Sequence, residues 1–235
     1  MGTTKATNLI RDLIWKSERT GILAVLCFSL VANAPQAILS GMYLTLNNLI
    51  TRMQLSTEWA SYSTQRKSLR VSDKRKGAQR STYFLQLPYR ISLTLMAACT
   101  LLHWLVSQSI FLASIEVRPK DEGDWSFVTC AWSPLAMIYT GVLGFLVIIV
   151  TIFYGKRPLG GGGMPSVGSN SLGISAACHP PEGGNDAEQP LMWGAVGENI
   201  LDENARDYED DREIIGHCSF SSAPVDIPKK GRLYQ

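Results

Sequence analysis

The sequence predicts an all-α membrane protein: three transmembrane helices, a basic cytoplasmic loop and a disordered cytoplasmic tail. Three observations predict it. Three apolar runs are long enough to cross a hydrocarbon core, cations crowd into one of the two loops between them, and from Pro158 the composition turns to Gly, Ser, Pro and acids. The chain divides accordingly into a juxtamembrane segment (1–20), a three-helix region (21–155) and a tail (156–235). Only 18% of residues are charged, against about a quarter in an ordinary globular domain.

The juxtamembrane segment has no apolar stretch of the secretory-signal kind, and the run that follows is longer than a signal's. Leu9 with Leu13, and Ile10 with Ile14, stand four residues apart, which suits a short amphipathic helix over Asn8–Trp15 resting on the outer interface, with a frayed terminus as the equal alternative.

The three runs predict helices over about 21–46, 91–115 and 134–154, and none contains Asp, Glu, Lys or Arg. About 20 residues at ~1.5 Å each span a bilayer core. A water-facing helix of that length would carry charge on one side. The loop after the first run holds Arg52, Arg66, Lys67, Arg70, Lys74, Arg75, Lys76, Arg80 and Arg90 against Glu58 and Asp73. The loop after the second holds Arg118 and Lys120 against Glu116, Asp121, Glu122 and Asp124. The positive-inside rule therefore puts the first loop in the cytoplasm and the second outside or in a lumen. Lys156 and Arg157, just past the third run, put the tail in the cytoplasm, and the N-terminus is left outside despite its own four cations.

Polar residues inside the runs form a candidate intramembrane site. Asn33, Gln36, Ser40, Tyr43 and Asn47 alternate at spacings of three and four, one helix face, with Pro35 beside them. His103 sits near the middle of the second run, with Thr100 and Ser107 on its face. An ionisable group at that depth is a candidate proton or substrate site. The plainer alternative is a neutral histidine hydrogen-bonded across the bundle, and the absence of any acid in the runs favours it. Ala136, Thr140 and Gly144 make a small-residue packing seam on the third run.

A second candidate is the stretch "RKGAQRSTYFLQLPYR". Arg75, Lys76, Arg80 and Arg90 read as a lipid-headgroup anchor, with Tyr83, Phe84, Leu85 and Leu87 dipping into the interface and Pro88 opening the second helix. Nucleic-acid binding by these cations ranks last and no nucleic-acid partner is expected, since both loop ends are tethered at a membrane whose inner leaflet is itself anionic.

No catalytic constellation appears: Ser/His/Asp, HExxH and paired carboxylates are all missing. The five Cys and three His show no metal-ligand spacing, and no cofactor is expected. In the tail, "PLGGGGMPSVGSNSLG" lacks the Lys-Ser/Thr of a phosphate loop and reads as a flexible linker. "ENILDENARDYEDDRE" is too acidic to build a core. Two apolar islands, "PLMWG" and "GHCSFSS", stand out as docking motifs or chance.

The stretches "VANAPQAILSGMYLTLNNLITRMQLSTEWASY", "KGAQRSTYFLQLPYRISLTLMA", "LLHWLVSQSIF" and "GHCSFSSAPVDIPKKGRLYQ" resemble the C-terminal part of uncharacterised fungal multi-pass membrane proteins, from about Ala32 to the end. In that family a domain of unknown function with further transmembrane helices precedes this region. The resemblance implies a fungal integral membrane protein with a cytoplasmic tail, here as a short form or fragment, and brings no activity or site residue. The function expected is a non-enzymatic structural or interaction component whose partners are membrane lipids and other transmembrane helices. The alternative is part of a transporter or sensor using the polar face with His103.

Overall fold

The computed structural model describes residues 22–117, 125–160, 163–168, 170–179, 186–196, 217–229, 231 and 234. The juxtamembrane segment with its amphipathic helix, and the acidic run of the tail, lie outside the described residues. Four helices and six strands follow in the order α1 (Ile22–Ser61), β1 (Arg70–Val71), β2 (Arg80–Ser81), α2 (Tyr89–Ser109), β3 (Ile110–Val117), β4 (Trp125–Trp132), α3 (Pro134–Gly155), α4 (Ser171–Ala177), β5 (Met192–Val196) and β6 (His217–Ser221). Three helices are long and apolar enough to cross a membrane: Val25–Ser61 within α1, all of α2 and all of α3. Their apolar side chains stay largely uncovered, as with Leu30, Ile38, Phe145 and Phe153.

The content is mixed, which corrects the all-α expectation in three places. First, α1 does not stop near Leu46. Residues 47–61 hold neither Gly nor Pro, so nothing breaks the helix, and its 40 residues reach about 60 Å, twice a hydrocarbon core. Second, the run expected to be helical to Ile115 turns to strand at Ile110. By Ser109 the helix already has 21 residues, and the next eight are rich in Ile, Val and Phe that pair along β4 from Ile110↔Trp132 to Val117↔Trp125. Third, the tail carries α4, β5 and β6 where no structure was expected.

The chain forms two compact units. In the first, residues up to Leu49 and Arg90–Lys156, the β3–β4 hairpin lays Ile110, Val128 and Cys130 against Val25, Phe28 and Ala32 of α1. The Cys130 thiol donates to the Phe28 carbonyl at 3.5 Å. Ser133 N–H donates to Ser109 O (2.9 Å), and the Ser109 and Thr140 hydroxyls meet at 3.2 Å, so α2 ends where α3 begins. The small-residue seam is closed at Ala136, which is buried, and at Thr140. At Gly144 a Cβ would meet nothing within 4 Å.

The second unit joins Ile50–Tyr89 to Arg157–Gln235. Its core gathers Tyr62, Ala177, Leu191, Trp193, Ala195, Cys218 and Phe220, with Trp59 and Leu69 packed alongside. Phe220 receives the rings of Trp59 and Tyr62 edge-on, at 5.1 and 5.4 Å. The two apolar islands of the tail turn out to be each other's partners. "PLMWG" supplies β5 and "GHCSFSS" supplies β6, antiparallel from Met192↔Ser221 to Val196↔His217. On its other edge β5 meets the first loop. Lys67 and Leu191 exchange both backbone bonds at 2.8 Å, and Trp193 N–H donates to Tyr62 O at 3.0 Å.

Gly77 shows how tight this loop–tail seam is. Its φ is +51°, and a Cβ there would lie 2.7 Å from Glu188 O, while Ala78 N–H donates to that same carbonyl at 2.7 Å. Gly77→Ala therefore combines left-handed strain with a backbone clash, and should destabilise the second unit by roughly 1–3 kcal/mol. Gly141→Ala, which meets open space inside α3, should not destabilise. Limited proteolysis of the tail in the detergent-solubilised protein separates the two: Gly77→Ala should be cut faster than the parent, and equal rates would contradict the packing described.

Candidate functional site

The polar residues of the predicted intramembrane face satisfy themselves locally. In an apolar helix a short polar side chain is best spent on a carbonyl one turn back. Asn33 Nδ2 donates to Ser29 O at 2.8 Å, Ser40 Oγ to Gln36 O at 3.0 Å and Thr100 Oγ1 to Met96 O at 2.9 Å. Gln36, Asn47, His103 and Ser107 are half-buried. None of the hydrogen bonds found among the described residues engages the His103 ring, and none links Asn33 or Ser40 to the Thr100–Ser107 face. These residues lie in two stripes, one on α1 and one on α2.

The predicted headgroup anchor divides as well. Arg75, Lys76 and Arg90 are exposed, and among the described residues their side-chain cations have no partner. Arg80 is used within the fold: its guanidinium donates twice to Ser68 O (3.0 and 3.3 Å) and lies 3.8 Å from Glu58. The aromatic and aliphatic members divide too. Leu87 is fully buried, Tyr83 lies under Arg70, and Phe84 alone stands free at 88% exposure.

The most developed polar cluster of the molecule is therefore one that the residue pattern did not single out. Glu58, from the last turn of α1, accepts from Arg70 Nε at 2.6 Å. Arg70 donates onward from Nη2 to the Tyr83 hydroxyl at 2.6 Å and rests 3.9 Å from the centre of a Tyr83 ring face. The short parallel pair Arg70↔Arg80, Val71↔Ser81 puts both arginines beside this single carboxylate. Arg66 reaches across to the tail, donating to the carbonyls of Pro190 (3.2 Å), Ser222 and Ala223 (2.8 Å). A flat guanidinium with five donors suits a row of carbonyls better than an ammonium would. One signal for this cluster was present in the sequence: Glu58 is one of only two acids in a loop of nine cations, so some of those cations had to compete for it.

The chemistry available here is that of a fastener. Arg70 and Arg80 share one carboxylate, and Arg66 and Arg80 donate to backbone carbonyls. Among the described residues no group of three His, Cys, Asp or Glu side chains stands close enough to hold a metal ion. His179 and His217 meet edge to face at 5.9 Å, and His217 Nε2 lies 3.3 Å from His179 O, a contact of ring and backbone that binds α4 to β6.

A family described as a domain of unknown function, DUF8419, matches residues 17–234. The chain belongs to the DUF8419 family. No curated protein and no solved structure matches it. The DUF8419 region takes in all three apolar helices and both tail strands, so the loop–tail unit falls within the family's own extent and is not an appendage to it.

Tyr62 reports on the seam of this DUF8419 domain. Burial pushes its phenol above the usual tyrosine range and Glu58 adds to the rise, while Arg80 and Arg70 offset part of it. The hydroxyl donates to Ser68 O at 3.0 Å. Because the folded phenol holds its proton to higher pH than the unfolded one, its contribution is complete below about pH 10 and is lost as pH rises through the folded value. The second unit should lose stability above about pH 10, and Tyr62→Phe should flatten that loss. At neutral pH the same variant should cost at most about 1 kcal/mol, since Ser68 O keeps Arg80 as a donor. Thermal melts across alkaline pH test both parts, and a parent and variant that fall in parallel would refute the assignment.

Proposed function

We propose that the chain is an integral membrane component that crosses the bilayer three times and acts in a structural or interaction role, without enzymatic activity. Its basic loop and tail together form one module on the cytoplasmic side. The observation that carries this reading is the backbone exchange between Lys67 and Leu191. Two candidate spans, α2 and α3, separate those residues along the chain. A loop and a tail that share hydrogen bonds lie on one side of a membrane, and two crossings between them return the chain to that side. The cation excess of the loop then favours the cytoplasm as the side in question. The β3–β4 hairpin falls on the opposite side.

Membrane lipids and other transmembrane helices, from a second copy or another protein, are the partners this reading assigns. The uncovered apolar side chains of α2 and α3, such as Trp104, Phe145 and Phe153, support it, because in water they would be costly to leave in the open. The resemblance to fungal multi-pass proteins supports the same architecture, with this chain corresponding to their C-terminal part. A transport path through Asn33, Gln36 and His103 is the weaker reading, since Asn33 and Ser40 of α1 are turned onto their own helix.

Topology mapping tests the proposal. Cysteines placed at Lys74 and Leu172, and one in the 118–124 loop, are labelled in sealed, right-side-out vesicles with a membrane-impermeant maleimide. The first two should stay unlabelled until the vesicles are opened, and the third should react at once. Labelling of Lys74→Cys and Leu172→Cys from opposite sides would overturn the shared module.

A further inference from the structure

We infer that the turn carrying Phe84, together with the cationic tip Lys74–Lys76, docks onto the surface of a leaflet containing anionic phospholipid, with Phe84 inserted among the headgroups. The inference rests on the membrane reading above and adds a bound surface and its chemistry. Fold building engages Arg66, Lys67, Arg70 and Arg80 of the loop's nine cations. Arg66, Arg70 and Arg80 are bound to carbonyls and Glu58, and Lys67 Nζ donates to Ser61 Oγ at 2.8 Å. Lys74, Arg75 and Lys76 are exposed, and their side-chain cations have no partner among the described residues. Asp73 beside them is spent on the Lys74 backbone N–H.

Phe84 is the second half of the argument. At 88% exposure it is the most uncovered of the large apolar side chains in the described chain, including those of the spans. It is also held there. Tyr83 before it is fixed by Arg70, Leu87 after it is fully buried, and Gln86 closes the turn with φ of 61° and a bond to Tyr83 O at 3.1 Å. A ring presented on a turn fastened at both ends costs little further ordering when it binds. What covers it follows from the chain itself. Tyr89, the first residue of a candidate span, lies five positions beyond Phe84, so the ring lies within about 18 Å of the point where the chain meets the bilayer. An aromatic ring at that distance from a span has the headgroup layer within reach, and aromatic rings favour that layer. The cations at Lys74–Lys76 of the same loop, without partners among the described residues, complement a negatively charged leaflet.

The test uses the full chain in nanodiscs of phosphatidylcholine alone or with phosphatidylserine. A benzophenone amino acid replaces Phe84, or Phe145 of α3 as the span control, and the photoadducts are identified by mass. From position 84 we expect lipid adducts, with phosphatidylserine enriched several-fold over its share of the bilayer. The enrichment should fall to that share in K74E/R75E/K76E, whose exposed substitutions leave the folded unit intact by melting. Lipid adducts at 145 with none at 84, or adducts at 84 that ignore lipid charge, would overturn this inference and leave the membrane reading standing. Absence of lipid adducts at 145 would overturn the membrane reading itself.

Discussion

Two backbone hydrogen bonds, Lys67 N–H to Leu191 O and Leu191 N–H to Lys67 O, hold together what the chain keeps far apart. Each segment alone is a poor candidate for folding. The loop is dominated by cations and has few apolar side chains, and the tail is divided by glycines and acids. Once Lys67 and Leu191 pair, β5 gains a neighbour on each edge, and Tyr62, Trp193 and Phe220 close into one core. The arginines come next in importance. Arg66 caps tail carbonyls that would otherwise face water alone, and the Glu58–Arg70–Tyr83 chain fixes the end of α1 against the loop.

The apolar half of the molecule was legible because its signal is additive over about 20 residues and insensitive to detail. The start of α3 at Pro134 could be read directly, since proline suits a first turn and the run behind it is unbroken. Boundaries set by competition were not legible. Ile110–Ile115 are apolar enough for a span and β-branched enough for a strand, and only the presence of Trp125–Trp132 as a partner decides between them. The tail failed for a related reason. "PLMWG" and "GHCSFSS" were visible as islands, but a pairing across twenty intervening residues leaves no local trace, and composition alone argued for disorder. At the candidate sites, positions were legible and partners were not. Arg80 looks like Arg75 in the sequence, and only the fold shows that Arg80 is committed to Ser68 and Glu58 while the Arg75 side chain has no partner among the described residues.

Polarity is handled in opposite ways in the two units. Along the apolar helices, Asn33, Ser40, Thr100 and Thr151 fold back onto carbonyls of the helix that bears them, which satisfies those donors without a partner helix. In the loop–tail unit, polar groups are exchanged between distant segments, and that exchange is what makes the segments adhere. Trp193 is the exception, for its indole N–H is buried without a partner among the described residues. We have no physical account of it.

The separation of the two halves of the seam has a consequence in time. Arg66 and the carbonyl it reaches at Pro190 are 124 residues apart. At a synthesis rate of about 5–20 residues per second, the loop waits on the order of 6–25 s between leaving the ribosome and meeting its partner. During that wait two further helices long and apolar enough to cross a membrane, α2 and α3, must be made. A loop dense in Lys and Arg is suited to waiting, since it stays hydrated and does not collapse onto a wrong partner. The loop–tail seam thus closes only after α2 and α3 have been synthesised.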